Sequence, residues 1–241
     1  MPREPDGHAS VVGDYTRLLS LAVHELRTPV SVVGGYLRML LGEAGGPLTN
    51  HQRKMLEEAT KSCERIVALI SELNEIARLD GGSAATRADP FELFQVVREV
   101  SRDIRDVEDR KVRIDVLGEA AGASCAGDRA RLSAALSAII RAIARERASG
   151  APMVIDCRVT AGNGRALAEV TIARDPDLQH TCTAPREAFD ERRGGLGLAL
   201  PIARRVIERH GGQVWSPAVG STDDSARRAS VVIAIPLIRA T

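Results

Sequence analysis

The residues best suited to chemistry lie in one short segment. In it a histidine is followed directly by a glutamate, and a threonine stands four residues after the histidine. The segment reads His24-Glu25-Leu26-Arg27-Thr28-Pro29. A neutral imidazole nitrogen of His24 can attack a phosphoryl group, and the Glu25 carboxylate can orient the ring and take its proton. On a helix, Thr28 lies one turn further along the same side, where its hydroxyl can position a water molecule. The segment therefore predicts a phosphoryl-transfer centre, with an ordinary solvated histidine as the alternative.

The spacing of apolar residues around His24 predicts the element that positions it. These residues recur in alternating steps of four and three, as in a helix of a coiled coil or bundle: Leu19, Val23, Leu26, Val30, Val33, Leu37 and Leu40. His24 falls one residue past a position of this seam, so it should point outward beside the core. Pro29 lacks a backbone N–H and should kink the helix and free a carbonyl one turn earlier.

A second amphipathic helix follows a break between Gly42 and Asn50. The glycines and proline at 45–47 end the first helix, and Thr49 or Asn50 can cap the next. The second helix stops at Asp80-Gly81-Gly82 and repeats the spacing of fours and threes: Leu56, Ala59, Cys63, Ile66, Ile70, Leu73 and Ala77. One antiparallel hairpin cannot cover its own apolar stripe. We therefore expect two copies of the chain to form a homodimer with a four-helix bundle.

Composition narrows the class of protein. The chain has 241 residues, 44% of them hydrophobic, and a formal net charge of +1. Arginines are interleaved with acidic residues and only 2% of residues are aromatic, which argues against a nucleic-acid surface. The longest apolar runs are shorter than the roughly 20 residues of a membrane span, so we expect a cytoplasmic protein. The scattered cysteines predict neither a metal site nor disulfides.

Beyond residue 80 the spacing of apolar residues no longer follows fours and threes and instead predicts a mixture of helices and strands. Residues 81–88, rich in Gly, Ser and Ala, form a predicted linker between the hairpin at 15–80 and a domain at 89–241. Residues 1–14 are assigned to an N-terminal tail, too short for a sensor domain, so the input signal is expected from a partner or from a longer protein. The second domain has predicted helices at about 91–108, 128–147 and 198–210, and predicted strands at 112–117, 153–160, 166–173, 213–216 and 229–237. The expected fold class is α + α/β.

Together these features resemble the sensor histidine kinase family, from about Tyr15 to Leu237. The segment around His24 resembles the phosphoacceptor box, the hairpin resembles the dimerization and histidine phosphotransfer domain, and the second domain resembles the ATP-binding α/β sandwich. The resemblance implies that His24 is the phosphoacceptor and that response-regulator receiver domains are partners, with a possible upstream kinase. Arg27 would hold phosphate oxygens or a receiver carboxylate. Glu25 and Thr28 resemble the Glu-x-x-Thr phosphatase motif of this family.

The resemblance weakens in the nucleotide-binding boxes. Alignment places Ala138 and Ala142 where the family has asparagines, one of which coordinates magnesium, and alanine offers no ligand atom. Arg145 falls where a base is common and could contact phosphate. In the next box, Arg174 takes the place of the adenine-binding aspartate, unless a one-residue slip gives that role to Asp175. The glycines that follow in the family are replaced by Pro176 and by either Asp177 or Leu178, which should alter the pocket.

The lid and the last glycine motif differ in how closely they match the family's sequence pattern. The lid before Gly194 is short, and Phe189 is the only candidate for its aromatic box. The run 194–200 keeps the glycine pattern, so Gly195 and Gly197 could receive phosphate at a helix start, or they could simply allow tight packing. His210 and the glycines after it match the end of the family's last helix and predict a C-cap.

The phosphoacceptor motif matches the family, whereas the nucleotide-binding motifs are altered. This combination predicts a histidine phosphotransferase or pseudokinase of a phosphorelay. It would resemble the kinase-derived histidine phosphotransferases and would need no cofactor. Alternatively, an active kinase binds ATP and magnesium and phosphorylates His24, with Glu146 or Asp175 as a displaced metal ligand. A third possibility is a non-enzymatic scaffold or inhibitor of a kinase or receiver.

Overall fold

The structure is a computed structural model that describes residues 7–81, 89–107, 113–119, 121–146, 152–162, 164–193, 197–218 and 229–238. The chain divides into two compact units, Met1–Ala84 and Ala85–Thr241. The first unit is helical and the second combines helices with a sheet. The predicted fold class is thereby confirmed.

Two long helices form the first unit. Helix α1 (Gly7–Leu41) begins within the segment assigned to the tail and continues through Pro29. Helix α2 (Asn50–Asp80) starts with a capping box, as its sequence predicts: the Thr49 side chain accepts a hydrogen bond from the Gln52 backbone N–H at 3.3 Å, and Gln52 Oε1 accepts the Thr49 N–H at 2.9 Å. Satisfying both N–H groups fixes the point at which α2 begins.

The apolar seam of the hairpin is only partly covered. Val23, Cys63, Ile70 and Ala77 are buried. Other large apolar side chains on the two helices stay exposed, among them Leu18, Leu21, Leu26, Val32, Val33, Tyr36, Met39, Leu40, Met55, Ile66 and Val67. An apolar surface of this extent is uncommon on a protein that acts alone and marks an interaction surface.

The second unit is built from eight strands and four α-helices in the described residues. In chain order they are β1 (Asp89–Glu92), α3 (Leu93–Val107), β2 (Ile114–Gly118), β3 (Ser124–Gly127), α4 (Arg129–Glu146), β4 (Met153–Gly162), β5 (Arg165–Arg174), α5 (Leu178–Thr183), β6 (Arg186–Ala188), α6 (Ala199–Arg209), β7 (Gln213–Pro217) and β8 (Val231–Pro236). The three longer predicted helices and five predicted strands are confirmed. Strands β1, β3 and β6 and helix α5 were not predicted.

Six strands form one mixed sheet in the order β2-β4-β5-β8-β7-β6. Strands β2 and β4 are parallel and the other neighbours are antiparallel. Strands β1 and β3 form a separate antiparallel pair that joins the start of α3 to the start of α4. Helix α4 packs between α3 and α6, and its fully buried side chains include Leu132, Leu136, Ile139 and Ile143.

The cysteines are free thiols. Burial raises the pKa of Cys125 and of Cys157 to about 12, so both thiols stay protonated and unreactive at neutral pH. Within the described ranges, no group of three or more His, Cys, Asp or Glu side chains could hold a metal ion. In the same ranges, none of the helices has the length and apolar character needed to span a membrane.

Candidate functional site

His24 lies on the open surface of α1, one residue past the buried Val23. The His24 side chain is 76% exposed and that of Glu25 is 73% exposed. Nδ1 of His24 lies 3.3 Å from Oε1 of Glu25. A proton shared at Nδ1 with this carboxylate leaves Nε2 as the unprotonated ring nitrogen of a neutral imidazole. The structure thus brings a candidate nucleophile together with a group that orients it.

Arg27 and Thr28 are exposed on the same stretch of α1. They follow His24 by three and four residues, which places them one turn along the helix beside the ring. Within the described part of the chain, neither the Arg27 guanidinium nor the Thr28 hydroxyl has a hydrogen-bond or ion-pair partner. Both groups are therefore open to a molecule that approaches His24.

The residues around His24 pack α1 against α2, and they also leave one backbone carbonyl of α1 without its usual hydrogen bond. Val23 is 3% exposed, and the Cys63 thiol of α2 reaches the Val30 carbonyl at 3.5 Å. Between these contacts, Pro29 has no N–H to donate to the Glu25 carbonyl one turn earlier. The exposed side of α1 therefore carries an acceptor that regular helix geometry would have satisfied.

In the second unit, α4 carries the residues aligned with the magnesium-binding asparagines. Ala142 is fully buried, and Ala138 is half-buried one turn earlier. Their methyl groups pack and supply no oxygen to a metal. Arg145 is exposed in the last turn of the same helix. Its contact with phosphate stays a prediction.

The end of β5 is closed by an ion pair where the resemblance expects an adenine-binding aspartate. Arg174 is the last residue of β5, and its Nε donates to Oδ2 of Asp177. Both side chains are largely buried, at 22% and 23% exposure. Asp175, Pro176 and Asp177 form a short 3₁₀ turn. Asp175, the alternative adenine or metal contact, is exposed and lines a groove beside β2.

The segment aligned with the lid packs on the second unit instead of extending from it. Phe189 is buried, and the Arg193 guanidinium lies 5.1 Å from its ring centroid. Arg193 is 3% exposed and donates to the Ser230 carbonyl at 2.9 Å and to the Asp190 carbonyl at 3.1 Å. Its hydrogen bond to the Ser216 hydroxyl joins this segment to β7. Sequence reasoning missed Arg193, because an arginine next to glycines normally indicates exposed chain.

The glycine box can be followed only from Gly197, because Gly195 lies outside the described residues. Gly197 has φ +65°, a left-handed conformation that favours glycine, and α6 begins two residues later. At the other end of α6, His210 Nε2 accepts the Asp128 N–H at 2.9 Å. A Cβ on Gly127 would lie 2.1 Å from the His210 ring. His210 is therefore a structural link between α6 and α4.

Comparison with known proteins gives a consistent set of relatives. The His Kinase A (phospho-acceptor) domain model matches residues 15–82. The circadian input-output histidine kinase CikA of Synechococcus elongatus is 24% identical over 217 residues, which cover 84% of this chain and 28% of that protein. The sensor-like histidine kinase SenX3 of Mycolicibacterium smegmatis is 27% identical over 224 residues, or 89% of this chain and 58% of that protein. The chain thus spans well under two thirds of the length of these relatives.

Solved structures share the fold. The crystal structure of full-length ShkA in complex with AMPPNP superposes with a TM-score of 0.63 at 19% identity and covers 92% of this chain and 45% of that chain. The histidine kinase AdeS of Acinetobacter baumannii gives a TM-score of 0.52 at 17% identity, with coverage of 89% and 98%. These matches support the fold, a helical hairpin followed by an α/β domain that resembles the kinase ATP-binding domain.

Proposed function

We propose that this chain, which belongs to the sensor histidine kinase family, passes a phosphoryl group between His24 and the aspartate of a response-regulator receiver domain without using ATP. One contrast carries the proposal. The His24–Glu25 pair is exposed, whereas the Arg174–Asp177 ion pair and the alanines of α4 stand where the resemblance expects the adenine-binding aspartate and the magnesium-binding asparagine.

The chemistry assigned to His24 follows from its contact with Glu25. The Nε2 lone pair attacks the phosphorus of an aspartyl phosphate, an N–P bond forms, and the P–O bond to the aspartate breaks. The aspartate leaves as a carboxylate. Positive charge develops on the ring during the attack, and Glu25 stabilises it through the proton at Nδ1. The reverse reaction returns the phosphoryl group to a second receiver.

The two other exposed groups on α1 have separate roles in this proposal. Arg27 pairs with phosphate oxygens or with a carboxylate of the docked receiver. Thr28 orients a water molecule toward the aspartyl phosphate of the receiver, which would hydrolyse it. In this proposal the receiver supplies both magnesium and the reacting aspartate.

The proposal includes a homodimer formed through the hairpin. The exposed apolar side chains on α1 and α2 give two copies a surface to cover. Burying a Leu or Ile side chain contributes about 1.5–3 kcal/mol, so pairing several of them would stabilise a four-helix bundle. His24 lies outside this seam, and a dimer would leave it accessible.

The test is transfer of label from a phosphorylated receiver. Receiver domains carrying ³²P are incubated with the full chain, and we expect rapid appearance of acid-labile label on the wild-type protein. His24→Gln should abolish that label. His51→Gln is the matched control, because His51 is also an exposed histidine of the hairpin, and it should label like the wild type. Label that persists in His24→Gln, or none on the wild type with any receiver, contradicts the proposal.

A second candidate function is ATP-dependent autophosphorylation of His24. The left-handed Gly197 just before α6 favours it, because this geometry suits a phosphate at a helix start. The chain alone, incubated with γ-labelled ATP and magnesium, would then acquire acid-labile label that His24→Gln lacks. Absence of such label removes this candidate and leaves transfer from a receiver as the route to His24.

A further inference from the structure

An arginine-lined groove runs along the free edge of the sheet in the second unit. It lies between α3 and the edge strand β2 and encloses about 580 Å³. That volume is within the range of small-molecule sites. Arg98 and Arg102 line it from α3, Arg113 from the residue before β2, and Asp175 from the turn after β5. The groove is made wholly of residues in this unit.

The positive charge of the groove is only partly neutralised. Arg113 pairs with Asp115 through Nε and Oδ2 at 2.9 Å. Arg98 donates from Nη2 to the Glu119 carbonyl at 2.8 Å, yet its buried Nε has no hydrogen-bond partner. Arg102 is exposed one turn further along α3 and has no carboxylate partner in the described residues. Buried donors normally find an acceptor, so the groove lacks one.

The same groove has an apolar side. Val116, Leu117 and Val154 line it next to the arginines, and Leu117 is 46% exposed. Within the described residues of this unit, Leu117 and Ile238 are the exposed large apolar side chains. Guanidinium groups pair well with phosphate oxygens, and an exposed apolar strip favours a flat organic group. The carboxylates of Asp115 and Asp175 can accept donors from such a ligand.

We propose that this groove is a binding site for an organic phosphate of nucleotide size. Arg102 and Arg98 hold the phosphates, and Val116 and Leu117 contact the organic group. The groove is lined by α3, β2 and the turn after β5, whereas the glycine box leads into α6. The proposal gives the second unit a ligand of its own.

The test uses ADP without magnesium, and pyrophosphate as the probe for the anion alone. Calorimetry on the full chain should show micromolar binding of ADP and weaker binding of pyrophosphate. Arg102→Gln should weaken ADP binding at least tenfold. Arg165→Gln is the matched control, since Arg165 is an exposed arginine at the start of β5, and it should bind like the wild type. Methyl NMR shifts at Val116 and Leu117 on adding ADP should report the same site.

Several outcomes would overturn this site. Binding that is absent at millimolar ADP rejects it outright. Equal weakening by Arg102→Gln and Arg165→Gln indicates a general charge effect. Weakening by Arg145→Gln with none by Arg102→Gln places ADP at the altered nucleotide box of α4. Because Arg102 is exposed and the readout is binding, a failure here leaves phosphoryl transfer through His24 untouched.

Discussion

The surface around His24 and the part of the second unit aligned with the nucleotide boxes differ in how their charged side chains are satisfied. On α1, Arg27 and Thr28 stand exposed beside the His24–Glu25 pair with no partner in the described residues. In the second unit, Arg174 is paired with Asp177 at the end of β5, and Arg193 is buried among carbonyls and a serine hydroxyl. The charged and polar groups beside His24 are left for another molecule to bind, whereas Arg174 and Arg193 are already paired within the second unit.

This difference supports the proposal that the phosphoryl donor is another protein. The resemblance places adenine at the end of β5, where Arg174 is paired with Asp177. Breaking this largely buried pair would leave a charge without its partner. A protein that approaches α1 breaks no such contact. The phosphoryl group is thus expected to arrive on a protein.

The largest predicted effect is a loss of stability in the second unit that leaves the reaction at His24 unchanged. Leu136 is fully buried in α4, so Leu136→Ala should destabilise the second unit by about 2–5 kcal/mol through the lost contacts and the cavity. Chemical denaturation followed by Trp215 fluorescence measures this, because Trp215 lies in that unit. Labelling of His24 by a phosphorylated receiver should persist. Loss of labelling in parallel with unfolding would show that the second unit takes part in transfer.

The next effect tests the role of Glu25. Glu25→Gln removes the charge proposed to stabilise the ring during attack, and we expect transfer from a receiver to slow about 100-fold, the lower end of general acid–base contributions. Thr28→Ala is the matched variant: it should keep the transfer rate within about twofold but reduce hydrolysis of the receiver phosphate. Rapid-quench labelling measures both rates. An unchanged rate in Glu25→Gln would reduce its contact with His24 to a surface ion pair of little value.

The smallest effect concerns the start of α2. Thr49→Ala breaks the capping box with Gln52 and should lower the stability of the hairpin by about 1 kcal/mol. Thermal melting monitored by circular dichroism would detect it, with Asn50→Ala as a neighbouring control outside the cap. If the melting temperature of Thr49→Ala equals that of the control, the packing of the two helices alone determines where α2 begins.

The elements that the sequence predicts well have strong local signals. The spacing of fours and threes and the Thr49 cap mark the hairpin, and residues 153–160 and 166–173 are apolar enough to indicate β4 and β5. Strands β1 and β3 were missed because each has four residues and Pro90 interrupts the first. Their pairing joins Asp89 to Gly127, a distant contact with no local pattern.

The candidate sites show the same limit. The His24 cluster can be predicted because its residues are neighbours along one helix. Arg193 cannot, since its partners Ser216 and Ser230 are far away in sequence and meet only when β7 and β8 pair. In the structure Arg174 is paired with Asp177 and Asp175 is exposed, so which of the two takes the place of the family's aspartate stays a prediction. Sequence spacing alone left both residues possible.

The most direct test of the account compares two donors for the same histidine. The full-length chain is mixed in parallel with ³²P-labelled receiver and with γ-labelled ATP plus magnesium, and acid-labile label at His24 is followed with time. We expect transfer from the receiver within seconds and labelling from ATP that is slower by about 100-fold or more. Labelling from ATP at a rate equal to or above that from the receiver, and lost in His24→Gln, would contradict it.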